Sequence, residues 1–130
     1  MNKQKLPKII QDIGFDFDWD NKKVWSLNIP VEEIDIESLE WHLDVPFWNK
    51  PPDGYYDLTP NEVLTDQEKY KEEFKRIMES DLSHPLDIMF WKGRWLMLDG
   101  LHRLVKAKEL DYKKVKVRKL NRNHIPLIKK

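Results

Sequence analysis

Apolar residues along this chain fall into two rhythms, one of period two and one of helical period, separated by stretches that break both. In the C-terminal half, Leu86-Asp87-Ile88-Met89-Phe90-Trp91 and Arg94-Trp95-Leu96-Met97-Leu98 are apolar runs joined only by Lys92-Gly93. A two-residue connection with glycine second, between two such runs, predicts a β-hairpin. Further on, residues 114–120 alternate Val115 and Val117 with Lys116 and Arg118, the mark of a half-buried strand. Between hairpin and strand, Leu101, Leu104, Val105 and Leu110 are spaced to form the inward side of a helix. His102, Arg103, Lys106 and Glu109 lie elsewhere on its circumference.

The N-terminal half is less regular. Val24-Trp25-Ser26-Leu27-Asn28-Ile29 reads as a strand closed by Pro30, and Ile36, Leu39 and Leu43 stand at the spacing of a short helix. Thr59-Pro60-Asn61-Glu62 has a capping threonine, proline at the first helical position and a glutamate at the third, which is a helix start. Thr65-Asp66-Gln67-Glu68 repeats the pattern and predicts a longer helix reaching about Ser80. Tyr70, Phe74, Ile77 and Met78 would share its inner face, with Lys71, Glu72, Glu73, Lys75 and Arg76 on the solvated side.

Residues 44–59 predict a long loop, since Pro46, Pro51, Pro52 and Gly54 break regular structure. Its aromatics, Phe47, Trp48, Tyr55 and Tyr56, suit a lid or a base-stacking surface, whereas Phe47 and Trp48 are expected first as plugs in the core. Strands that follow one another and helices set apart from them predict an α+β domain with a small mixed β-sheet and packed helices.

Composition narrows the classes. The chain has 130 residues, 40% hydrophobic and 35% charged, which suits one domain with a solvated surface. No cysteine is present, which removes disulfides, thiolate nucleophiles and thiolate metal sites. Lys and Arg together number 23, as do Asp and Glu, so the net charge is zero. The charge is unevenly spread: residues 10–62 are acidic, and residues 104–130 are basic, from Lys106 and Lys108 to Lys129 and Lys130. That asymmetry fits a nucleic-acid face or a phosphate-binding end, or simply two halves that neutralise each other on folding. Met1-Asn2-Lys3-Gln4-Lys5 opens no apolar core of the kind a signal peptide carries, and no apolar run approaches the ~20 residues of a membrane span. A cytoplasmic protein without a membrane partner is expected.

The candidate chemistry lies in Asp99-Gly100-Leu101-His102-Arg103. The first N–H groups of a helix lack intrahelical partners and carry partial positive charge, so a phosphate placed there accepts several at once. Gly100 permits a sharp turn and close approach, and His102 and Arg103 add donors, Arg103 as a fork matched to phosphate. Lys106 shares a helix face with His102. Asp99 has two readings: an N-cap of the helix, or a ligand for Mg²⁺ or a general base. For Arg103 the competing expectation is an ion pair with an acid from the N-terminal half.

These residues carry a resemblance. The runs 86–91, 96–110 and 115–117, with their Gly-x-His-Arg loop, Ala-containing helix and valine-rich strand, resemble the core of the ParB/sulfiredoxin superfamily over about residues 60–120. The resemblance implies a nucleotide-phosphate site at the loop, for ATP, ADP or CTP with Mg²⁺. Gly100, Leu101, His102, Arg103 and Lys106 would then contact the nucleotide, and Asp99 would bind metal. Sulfiredoxin chemistry is excluded, because Leu101 stands where those enzymes have their cysteine. The helix-turn-helix that follows in ParB has no room here. The Asp-Gly-x-His-Arg form is nearest to the free serine kinases. In that likeness Asp99 and His102 serve phosphoryl transfer, and a glutamate base comes from the N-terminal side. Glu62 is the candidate by position, with capping as its other role.

His42, His84, His102 and His124 lack the i, i+4 pairing of a helical zinc site. No Walker loop, dinucleotide glycine fingerprint or Gly-x-Ser-x-Gly elbow is present. Asp16, Asp18 and Asp20 lack the remaining ligands of a calcium loop and read as a solvated acidic stretch. Two functional classes therefore stand. One is a nucleotide-binding phosphotransferase or nucleotidase with a small-molecule acceptor. The other is a non-enzymatic nucleic-acid or protein-binding module that uses the basic C-terminal face.

Overall fold

The structure is a computed structural model and describes residues 6–130; the signal-peptide reading of residues 1–5 lies outside them. In order, the chain forms α1 (Lys8–Ile13), α2 (Asn21–Ser26), β1 (Val31–Asp35) and two 3₁₀ turns (Ile36–Ser38 and Glu40–Asp44). Next come α3 (Pro60–Thr65), α4 (Lys71–Glu79), β2 (Leu86–Trp91), β3 (Arg94–Asp99), α5 (Leu101–Glu109) and β4 (Lys114–Leu120). A 3₁₀ turn (Arg122–His124) and α6 (Ile125–Ile128) end it. The fold is α+β.

The hairpin is built as its turn residues demand. Lys92 and Gly93 both take positive φ, 50° and 87°, the conformation that matches the right-handed twist of paired strands. β4 joins β2 in parallel after the α5 crossover, and β1 adds antiparallel to β4, giving the order β1-β4-β2-β3. One sheet face packs Leu86, Ile88, Val115 and Val117 against Leu104 and Ala107 of α5 and against Ile36 and Leu39. The other packs Met89, Trp91, Leu96, Leu98 and Leu120 against Val24, Ile128 and the aromatics Phe15, Phe17 and Trp19. A third cluster seats α3 and α4 on α5 through Val63, Tyr70, Ile77 and Val105. Burying each such side chain stabilises the fold by roughly 1.5–3 kcal/mol.

Several expectations need correction. Residues 24–29 are not a strand: the Asp20 carboxylate accepts the Lys22 N–H and starts α2, which buries Val24 and leaves Trp25 56% exposed. The strand lies just beyond Pro30, where β1 has only Ile34 half-buried and therefore shows no apolar alternation. Residues 36–44 bury Ile36, Leu39 and Leu43 as expected, but in two 3₁₀ turns. The second capping box does not form. Asp66 closes α3 by giving its N–H to the Glu62 carbonyl, and α4 begins later, at Lys71. Leu110 closes α5 and is 46% exposed. Asp16 and Asp18 are exposed as read, while Phe17 and Trp19 between them enter the aromatic cluster.

Candidate phosphate-binding site at the β3–α5 junction

β3 passes into α5 through one residue, Gly100, whose φ of 117° favours glycine strongly. A Cβ there would lie 2.7 Å from Leu86 Cδ2 and 3.3 Å from an Arg103 guanidinium nitrogen. Gly100 is also the N-cap, and no side chain caps the helix. The capping role considered for Asp99 is thus overturned. Strand pairing with Asp87 holds Asp99 at the end of β3, and its Oδ2 accepts from Trp25 Nε1 at 2.8 Å and from Arg103 at 3.1 Å. The first N–H groups of α5 consequently meet the neighbouring cavity without a capping carboxylate.

Arg103 is anchored from two sides, donating to the Pro85 carbonyl at 2.8 Å as well as to Asp99. Its acidic partner is therefore its neighbour one helical turn back and not a residue of the N-terminal half. Two of its five N–H donors are used in this way, leaving others for a ligand. His102 is held by Glu73, with 2.6 Å between Nε2 and Oε1, and the Trp48 ring stacks on it at 4.7 Å and 21°. Lys106 donates to the Ser80 carbonyl at 2.8 Å, at the end of the helix that carries Glu73.

Two cavities meet at a wall made of His84, Asp99 and Arg103. One, of about 540 Å³, is lined by Gly100, Leu101, His102, Trp48, Phe47 and Ser80 among others. The other, of about 510 Å³, is lined by Trp25, Pro85, Asp87 and Arg118. Asp87 is buried and receives Arg118 Nε at 2.7 Å, while the rest of that guanidinium donates to the Leu27 and Val24 carbonyls. Burial pushes the Asp87 carboxyl above its ordinary range, Arg118 opposes the shift, and nearby Asp99 adds to it.

The loop residues Asp99, Gly100, Leu101, His102 and Arg103 line one cavity, and neither Glu62 nor Lys106 joins them. Thr59 N–H donates to Glu62 Oε1 at 2.9 Å, Glu62 N–H donates to Thr59 Oγ1 at 3.0 Å, and Lys50 Nζ stands 3.3 Å from the second carboxylate oxygen. The Thr59 N–H bond, with Lys50, holds that carboxyl below its usual range. Glu62 lines neither cavity. The acid that reaches the loop is Glu73, read from sequence as part of a solvated helix face. Asp87 and Arg118 were also missed. Their signal was available: Asp87 is the single charge in an otherwise apolar run. The loop at 44–59 is tied shut, with Trp48 and Leu58 exchanging backbone hydrogen bonds and Asp57 accepting from Lys50 N–H. Trp48 packs against the third core cluster and also walls the cavity beside His102.

Comparison of this chain with family models, curated proteins and solved structures finds no match. The chemistry of the site is therefore read from its own donor set. Among the described residues, no group of three or more His, Cys, Asp or Glu side chains could hold a metal ion. Trp25 and Arg103 both bind Asp99 through Oδ2, so Asp99 can offer Oδ1 as one ligand. That suits Mg²⁺ arriving on a nucleotide, since this ion needs only one or two carboxylates when phosphates and waters fill the rest.

Proposed function

We propose that the protein binds the phosphates of a nucleotide, ATP, ADP or CTP, at the β3–α5 junction. One observation carries the reading: α5 opens onto a cavity behind a positive-φ glycine, with no capping side chain and with His102 and Arg103 beside it. Phosphate oxygens would accept the N–H groups of the first turn, and Arg103, already fixed by Pro85 and Asp99, would grip them without reorganising. Lys106 adds positive charge one turn further on. Asp99 would ligate Mg²⁺ carried by the phosphates.

The same arrangement supports phosphoryl transfer to water or to a small-molecule hydroxyl, a reaction that asks a protein mainly for positioning and charge stabilisation. His102, held by Glu73, would accept the proton, and Glu73 replaces Glu62 as the acid that serves it. This reading puts the protein in the cytoplasm, where nucleotides and Mg²⁺ are supplied. The α+β architecture agrees with a ParB/sulfiredoxin-like assignment, which remains part of the proposal.

Isothermal titration with ATP, ADP and CTP, each with and without Mg²⁺, tests the reading. Binding of one nucleotide at roughly micromolar strength, about −8 kcal/mol, supports it when Arg103→Lys weakens that binding and the thermal midpoint holds. No heat and no thermal shift with any of the three overturns it.

A further inference from the structure

The end of the sheet far from Gly100 carries a second surface that phosphate binding does not use. β2 runs away from the junction and β3 returns to it, so Phe90 and Trp95 are register partners at the far end. At ~3.4 Å per residue, roughly 14 Å of strand separates Trp95 from Asp99. α5 covers the middle of this face through Leu104 and Ala107 and leaves Phe90 52% exposed. The Phe90 and Trp95 rings meet edge to face, 5.3 Å apart at 78°.

Two cations, Lys119 and Arg122, border this aromatic pair. Lys119 Nζ lies 5.1 Å from the Trp95 ring centre, and the guanidinium of Arg122 lies 4.3 Å from that of Trp91. Glu32 pairs with Lys119 at 3.3 Å, whereas among the described residues Arg122 has no ion-pair partner. Phe90, Trp95, Lys119, Asn121, Arg122 and Asn123 line a shallow groove of about 590 Å³ here.

We infer that this groove binds single-stranded nucleic acid, with a base stacked on Phe90 and backbone phosphates against Arg122 and Lys119. Base stacking on an exposed ring beside a cationic track is how sequence-tolerant strand binding works. Along the chain, Tyr112 is the one aromatic in the basic stretch at 104–120. Folding supplies Phe90 and Trp95 from the hairpin instead. A duplex keeps its bases stacked inside, out of reach of Phe90, and this face raises no helix or ribbon to enter a groove. A protein partner is the poorer fit, because the centre of such interfaces is depleted in charge.

Fluorescence anisotropy of the full chain with labelled oligothymidylate, oligouridylate and a duplex of equal length tests the inference. A single strand binds, more tightly than the duplex, and its affinity falls at least about tenfold between about 50 and 200 mM salt. Phe90→Ala weakens that binding about tenfold at an unchanged thermal midpoint, and Phe90→Tyr restores it. The better of the two strands tells DNA from RNA. No binding at low salt, equal binding of the duplex, or undiminished affinity in Phe90→Ala overturns the inference. So does a Phe90-dependent dimer that forms in place of an oligonucleotide complex.

Discussion

Asp87 and Asp99 are paired across the β2–β3 hairpin, yet each carboxylate is turned to a different arginine, Asp87 to Arg118 and Asp99 to Arg103. The two ion pairs join distant parts of the chain. Through Arg118, Asp87 reaches the Val24 carbonyl of α2 and the Leu27 carbonyl at its end, and Asp99 ties the sheet end to α5 and Trp25.

Asp87→Ala leaves the Arg118 guanidinium, 11% exposed, without its counter-charge. Loss of one partner of a buried pair costs about 3–5 kcal/mol, so urea unfolding should show a drop of that order. The double variant Asp87→Ala, Arg118→Met should lose less than the sum of its parts. Additive losses would mean that the pair does not act as a unit.

Gly100→Ala places a Cβ against Leu86 in a backbone conformation that side chains rarely adopt. The strain is on the order of 1–3 kcal/mol, and it falls on the turn that orients the first N–H groups of α5. Thermal stability and nucleotide affinity should therefore fall together. An alanine variant as stable as the native protein would show that this turn tolerates a side chain.

Glu62→Ala removes one arm of the Thr59 capping box and should cost about 0.5–1 kcal/mol, with nucleotide binding at the native level. Glu62→Gln, which can still cap, should be nearly silent in both measurements. Loss of nucleotide binding in the glutamine variant, at native thermal stability, would return Glu62 to the site.

His42 is fully buried. Its Nδ1–H donates to the Leu39 carbonyl at 2.8 Å, and its Nε2 accepts the Met97 N–H at 3.1 Å, an arrangement that requires the neutral ring. Burial is the main reason its pKa falls from 6.5 to about 4. Between those values the unfolded chain binds a proton that the folded chain refuses, so folding stability rises with pH in that window. The contribution is fully present above pH 6.5 and is lost as pH falls towards about 4, on the order of 3 kcal/mol in all. Urea midpoints measured across this range should drop on acidification, and less so in His42→Gln. Equal slopes in the two proteins would remove His42 as the cause.

The parts legible in the sequence are those whose cause is local. The hairpin follows from Lys92-Gly93 between apolar runs, and α5 and β4 from periodicity over nine and seven residues. Gly100, Leu101, His102 and Arg103 could be read as a site because they are consecutive. β1 was hidden because a mostly exposed edge strand has no apolar alternation to show. α2 was misread because its start depends on Asp20, which lies outside the apolar stretch that suggested a strand. The partners of the site residues were hidden by distance along the chain: Glu73 lies 29 residues from His102, and Trp25 lies 74 from Asp99. Side-chain chemistry alone cannot say which of many acids a given histidine will meet.

The His42–Met97 contact also bears on how the molecule behaves in a crowd. β3 is an outer strand of the sheet, and two of its outward backbone groups are engaged by side chains: Met97 N–H by His42, and the Trp95 carbonyl by Trp41 Nε1 at 3.1 Å. On the opposite margin, β1 carries Glu32, Glu33 and Asp35. An open strand margin invites other chains to add themselves, and side-chain plugs or charge discourage them. Trp41 and His42 therefore act as a hem sewn along one selvage of the sheet, and charged, solvated side chains guard the other. The protein can then offer an aromatic sheet face to a ligand without recruiting copies of itself strand by strand.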